Sequence, residues 1–115
     1  MRVGIHRGPK GKFSDFVKRY ETILKYNNIE SIRLDAGIQD FWEKVKTCDL
    51  FIYNWRVEHD DHQLAKTILP LIEWELKIKC FPDHHTSWQY DDKIREYYLL
   101  NNAGFPVIES WIFWD

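Results

Sequence analysis

The chain has 115 residues, of which 44% are apolar and 30% charged, and its net charge is −2. That is the size and composition of one globular domain rather than of a disordered segment, and no run of about 18 apolar residues is present to form a membrane span. The strong basic excess of a generic nucleic-acid binder is also missing, although residues 1–33 hold eight Lys/Arg against three Asp/Glu and residues 34–61 hold three against seven.

Arg2-Val3-Gly4-Ile5 reads as a strand that stops at the loop Gly8-Pro9-Lys10-Gly11-Lys12. Phe13, Phe16, Val17, Tyr20, Ile23 and Leu24 then recur at helical spacing. Ser14 or Asp15 is suited to cap that helix, and Asn27-Asn28 to end it. Ser31–Leu34 is a second strand, and Asp35-Ala36-Gly37 turns the chain into a helix marked by Ile38, Phe41, Trp42 and Val45. Leu50–Tyr53 is a continuous apolar run, the pattern of a strand covered on both faces. Residues 55–61 read as a polar loop, and residues 64–76 as a helix that Pro70 should kink or break. Ile78–Phe81 is a fourth strand, residues 83–90 a loop and residues 91–103 a helix with Gly104 placed as its C-terminal cap. An extended segment follows from Phe105.

Strands and helices alternating with short connections predict an α/β fold. The expectation is a Rossmann-like three-layer domain over residues 1–82 with a short, mostly parallel four-stranded sheet. Residues 83–115 would then form a junction loop, an appended helix and a strand. Cys48 and Cys80 form no CxxC and no dense framework. Met1–Arg7 lacks the apolar stretch of a signal peptide. A cytoplasmic chain with reduced, buried thiols is therefore expected.

Ligands of open parallel sheets bind beyond the carboxyl ends of the strands, which would gather loops 6–12, 54–62 and 82–92. In the first, His6, Arg7, Lys10 and Lys12 beside helix-N-terminal amides suit an anion, either phosphate or carboxylate. The loop is not a Walker A motif, because His6 and Phe13 stand where Gly and Ser/Thr are needed. His59, His62, His84 and His85 with Asp60, Asp61 and Asp83 invite a metal reading, but nothing in the sequence supplies the supporting shell that a metal site needs, so none is expected. No GxSxG is present, neither cysteine has an activating signature, and Asp49 precedes its strand where a phospho-acceptor would follow it. No catalytic residue is expected in this chain. Lys93 is a cation in the first turn of a helix, an unfavourable place unless it meets an anion.

The segment Phe81-Pro82-Asp83-His84-His85-Thr86-Ser87-Trp88-Gln89-Tyr90-Asp91-Asp92-Lys93, followed by Tyr98-Leu99-Leu100 and Ala103-Gly104-Phe105-Pro106-Val107, resembles the entry into an ATP-grasp enzyme. In that superfamily a small pre-ATP-grasp domain ends in a strand and a Pro-containing loop. A DK then opens a helix with paired leucines, and AG-x-P-x-P follows, with Ile108 here in place of the second proline. The likeness is greatest to uncharacterised ligases similar to carbamoyl-phosphate synthase and glutathione synthetase. It spans the chain in element order and is motif-specific over residues 81–113.

The resemblance implies a carboxylate–amine or carboxylate–thiol ligase working through an acyl-phosphate with ATP and Mg. Lys93 matches the lysine that contacts ATP phosphate. His6 and Arg7, and the loop that holds Trp55, Arg56, His59 and His62, would lie near a small-molecule substrate. Residues 1–115 do not include the two ATP-grasp subdomains, so an N-terminal fragment, inactive alone and binding no cofactor tightly, is expected. Its apolar stretch 107–114 would favour a homodimer, and neither nucleic acid nor membrane is an expected partner. The competing reading is a stand-alone Rossmann-like module that binds an anion or small molecule without chemistry.

Overall fold

The computed structural model describes residues 1–6, 14–56 and 58–113. Four strands, β1 (Arg2–His6), β2 (Glu30–Leu34), β3 (Leu50–Tyr53) and β4 (Lys79–Phe81), form one sheet in the order β2-β1-β3-β4. Every pairing is parallel, with His6 opposite Leu34 on one side and opposite Tyr53 on the other.

The helices α1 (Asp15–Tyr26), α2 (Phe41–Val45) and α3 (His59–Pro70) connect the strands. Alternation along the strands sends Val3, Ile5 and Ile52 to one face, where they pack on Val17, Tyr20 and Leu24 of α1. It sends Phe51 and Tyr53 to the other, with Phe41 and Val45 of α2 and Ala65, Ile68 and Leu69 of α3. The result is the three-layer α/β arrangement expected, with an all-parallel sheet.

Local chemistry explains most boundaries. Ser14 caps α1, its Oγ accepting the Val17 N–H at 3.4 Å. Of the apolar stripe, Val17 is buried and Tyr20 and Leu24 half-buried, whereas Phe16 and Ile23 stand exposed on the flank; Phe13 lies outside the described residues. Ile38 belongs to a turn, not to α2, with its N–H on the Asp35 carbonyl at 3.0 Å. The helix expected from residue 64 begins at His59, so the polar stretch before it is shorter than expected and His59, Asp60 and Asp61 occupy a first helical turn, where acids suit the helix dipole. Pro70 ends the α-helical ladder because it has no N–H to give. The chain continues as a π-helical turn over Leu71–Glu75, in which Leu76 N–H reaches the Leu71 carbonyl at 3.3 Å.

After β4, a short helix α4 (His84–Ser87) forms inside the stretch expected to be loop, capped by the Asp83 carboxylate on Thr86 N–H at 2.6 Å. It stays with the α/β unit, since His84 N–H donates to the Glu73 carboxylate at 3.1 Å and its ring meets Trp74 edge-on at 5.2 Å. The last helix, α5 (Lys93–Asn102), has no buried residue, and Gly104 closes it at φ +78°. Residues 105–113 form no strand: no ladder partner faces them among the described residues. Because these parts stand away from the sheet, the radius of gyration is 16.3 Å, against about 13 Å for a compact chain of this length. No helix among the described residues is long and apolar enough to cross a membrane.

Candidate functional site

In this strand order the chain reverses direction across the sheet between β1 and β3, and the crevice beyond their carboxyl ends is where open α/β sheets take ligands. The two strands end on His6 and Tyr53, register partners whose rings stack at 4.6 Å and 10°. His6 is wholly buried between Phe41, Phe51 and Tyr53, and its Nε2 accepts the Ala36 N–H at 3.1 Å. It therefore serves the core at the floor of the crevice and does not open to solvent. Arg7, Lys10 and Lys12 lie outside the described residues.

The loop after β3 is built by two neighbouring side chains of α3. Asp61, fully buried, accepts the Tyr53 hydroxyl on Oδ1 at 2.8 Å and the Arg56 N–H on Oδ2 at 2.7 Å. Burial raises the Asp61 pKa, with those hydrogen bonds opposing it, and burial followed by the Asp61 carboxylate raises that of Tyr53. His62 places Nε2 2.6 Å from the Arg56 carbonyl. A carbonyl only accepts, so this nitrogen carries the proton. Residue 56 is thus held by its N–H and its C=O at once.

Rings join this loop to the segment before α5. Trp55, His62 and Tyr90 touch pairwise with centroids 5.2–5.4 Å apart. Asn54 ties the same loop to the start of α1 through the Ser14 hydroxyl at 2.8 Å. The structure therefore brings together loops 54–62 and 82–92, as expected from the strand order. It does not unite the histidines: His59 and His85 are exposed, and His84 packs on Trp74. Among the described residues no group of three His, Cys, Asp or Glu side chains is arranged to hold a metal ion.

No family model matches the chain, and neither a curated protein nor a solved structure matches it. The site must be read from its own chemistry. With Asp61 and His62 engaged in holding the loop, two donors stay uncommitted. The Trp55 Nε1–H is buried without a hydrogen-bond partner, and the half-buried Arg56 guanidinium has no partner among the described residues. Tyr90, which closes the ring cluster, was missed by the sequence reading; the only signal for it was an aromatic residue in a loop expected at the crevice.

At the junction, Asp92 caps α5 by accepting the Arg95 N–H at 3.0 Å. Arg95 returns its guanidinium to the Trp88 carbonyl at 2.7 Å and lies over the Trp88 ring at 5.3 Å. The Lys93 ammonium, 84% exposed, pairs with Glu96 at 3.0 Å, which raises its pKa. The helix thus supplies its own anion for the cation in its first turn.

Proposed function

We propose that residues 1–115 are the N-terminal, substrate-side part of an ATP-grasp ligase that joins a carboxylate to an amine or a thiol. The observation that supports this best is the passage from sheet to appendage. An all-parallel sheet of order β2-β1-β3-β4 leads through the Pro82 loop and α4 into a capped helix that opens on Lys93 and exposes its paired leucines Leu99 and Leu100. In this reading α5 and residues 105–113 belong with further subdomains that hold Mg-ATP. ATP would transfer its γ-phosphoryl group to the carboxylate, leaving ADP and an acyl-phosphate; the amine or thiol would then attack the acyl carbon, lose its proton and expel inorganic phosphate.

Lys93 would contact the ATP phosphates. Its pair with Glu96 does not oppose that role, because an exposed ion pair is worth only about 0–1 kcal/mol and a polyphosphate can displace it. Residues 54–62 and Tyr90 would face the substrate. A cytoplasmic location and self-association through residues 107–114 belong to the same proposal.

The deciding experiment is to read the transcript past codon 115. A frame that continues far enough to encode two more subdomains, with acidic metal ligands near its end, is expected, and in that full-length protein Lys93→Ala should abolish substrate-dependent ADP release. A stop codon directly after Asp115 would overturn the ligase reading. The same crevice would then belong to a stand-alone binding module.

A further inference from the structure

We propose that residues 107–113 of a second copy of this chain add as a fifth strand along the open edge of β4, parallel to it, with Glu109 opposite Lys79 and Trp111 opposite Phe81. The contact rests on the self-association proposed for residues 107–114 and names the surface that receives them; it does not rest on the ligase chemistry.

The edge comes first. β4 ends the sheet and pairs with β3 alone among the described residues. Its outer N–H and C=O groups face no ladder there, and such an edge is a template for another extended chain. A groove of about 460 Å³ runs beside it, lined by Glu73, Lys77, Ile78, Lys79, Cys80 and Asp83. Both acids are committed, Glu73 accepting the His84 N–H and Asp83 the Thr86 N–H. Lys77 and Lys79 form no ion pair among the described residues. Phe81 is the register partner of Ile52 and shares its face of the sheet, but α1 packs over β1 and β3 and leaves Phe81 58% exposed.

The occupant follows from pattern and charge. Residues 107–113 form no strand of their own, yet they are rich in β-branched and aromatic residues. Extended, they place Glu109, Trp111 and Phe113 on one side and Ile108, Ser110 and Ile112 on the other. β4 alternates in the same way, with Lys79 and Phe81 exposed and Cys80 buried. One parallel register satisfies every position: Glu109, which has no ion pair among the described residues, meets Lys79, Trp111 covers Phe81, and the small Ser110 falls opposite Cys80. The antiparallel pairing that keeps Glu109 on Lys79 puts Val107 beside Phe81 and leaves Trp111 without a partner ring. Within its own chain the stretch Ser110–Phe113 lies along α5 with Trp111 and Phe113 turned outward, so it is offered to a neighbour. Edge and arm are different surfaces, and a contact between them is heterologous, building rings or open chains of copies.

The test is dilution of the isotope-labelled chain followed by its amide resonances. Those of Ile78–Phe81 and of residues 107–113 should shift together and saturably with concentration. Lys79→Glu or Glu109→Lys alone sets like charges against each other and should raise the dissociation constant by roughly fivefold; a chain carrying both changes should associate as the unaltered chain does. Phe81→Ser and Trp111→Ser should each weaken association, and together they should cost less than the product of the two, as for residues in contact. All four side chains are exposed, and the remaining sheet resonances report that each variant is folded. Shifts confined to other elements, a Lys79→Glu chain that associates normally, or no recovery in the charge-swapped chain overturns the proposal. So do β4 shifts that are independent of concentration and vanish in Trp111→Ser, which would put the chain's own stretch on the edge. Association that persists through another surface overturns this contact and keeps the wider self-association; a chain that stays monomeric overturns both. The ligase reading is decided separately, by the reading frame past Asp115.

Discussion

The Tyr53 hydroxyl lies 2.8 Å from Asp61 Oδ1, and the opposite oxygen of that carboxyl takes the Arg56 N–H at 2.7 Å. One buried acid therefore links the end of β3, the first turn of α3 and the loop between them. Tyr53→Phe removes one donor and leaves a buried carboxyl oxygen without it. An unsatisfied buried acceptor costs about 1–3 kcal/mol, so the urea midpoint should drop by a corresponding amount. The pH dependence has a definite sign. Burial already raises the Asp61 pKa above the ordinary aspartate value, and the phenol lowers it. A raised acid contributes stability that is present below its unfolded pKa and lost as pH rises through its folded pKa. Without the phenol the folded pKa moves higher, so the deficit of Tyr53→Phe should widen as pH rises from about 3 toward neutrality. A deficit independent of pH would show that the carboxyl does not sense the phenol.

Gly4 sits in β1 against β2 and the loop before β3. A Cβ there would lie 2.5 Å from Leu34 Cδ1 and 3.0 Å from Cys48 Sγ, and Leu34 is itself buried in the core. Gly4→Ala should destabilise the protein by about 1–3 kcal/mol through overpacking. Because Leu34 is the nearer obstacle, Leu34→Ala in the same chain should cost less than the sum of the two single changes. Additive costs in denaturant unfolding would refute the contact.

The two thiols are free and buried, at Cys48 and Cys80. Burial raises both pKa values, that of Cys80 to about 12, with the Glu73 and Asp83 charges adding to it. Because the thiolate is the reactive form, neither should react with dithionitrobenzoate in the native state near pH 8, and both should react at once when urea unfolds the chain. Rapid native labelling of either would contradict this environment.

Arg33 and Glu21 join β2 to α1 through two hydrogen bonds, at 2.5 and 2.8 Å. The bond to Arg33 depresses the Glu21 pKa. A depressed acid contributes stability above its unfolded pKa and loses it as pH falls through its folded pKa. Glu21→Gln should therefore cost up to about 1 kcal/mol at pH 7, the range of partly exposed ion pairs, and the gap should close as the pH falls below the ordinary glutamate range. Equal losses at pH 7 and pH 3 would rule the pair out as the cause.

What was legible in the sequence followed how local its cause was. The run Leu50–Tyr53 alone implied a strand buried on both faces, and β3 occupies those residues. Ser14 and Gly104 were readable because a cap depends on a residue and its immediate neighbours. The start of α3 was not, because His59–Asp61 looks like polar loop until Asp61 is seen turning inward to Tyr53, a partner eight residues away that belongs to another element. The same holds for the site. Loops 54–62 and 82–92 could be placed together from strand order, but that Asp61 and His62 hold the backbone while Trp55 and Arg56 keep free donors depends on side-chain direction. No spacing in the sequence encodes that. His6 shows the opposite error: a histidine next to a basic loop looked available, and the register with Tyr53 buries it.

Residues 105–113 leave large apolar side chains in water: Ile108 is 88% exposed, Trp111 71% and Phe113 85%. Ser110–Phe113 return beside Lys93, Ile94 and Tyr97 of α5 and line a cleft of about 300 Å³ with them, but this does not cover the outward rings. Clustered apolar exposure of this kind favours association. Residues 1–115 produced alone should therefore sediment as a concentration-dependent mixture of monomer and larger species. Trp111→Glu with Phe113→Lys should shift that mixture to monomer without lowering the urea midpoint, because neither side chain belongs to the core clusters of the sheet. A single species that sediments as monomer across the accessible concentration range would show that this stretch does not self-associate. A lowered midpoint in the double variant would show instead that the two aromatic rings brace α5.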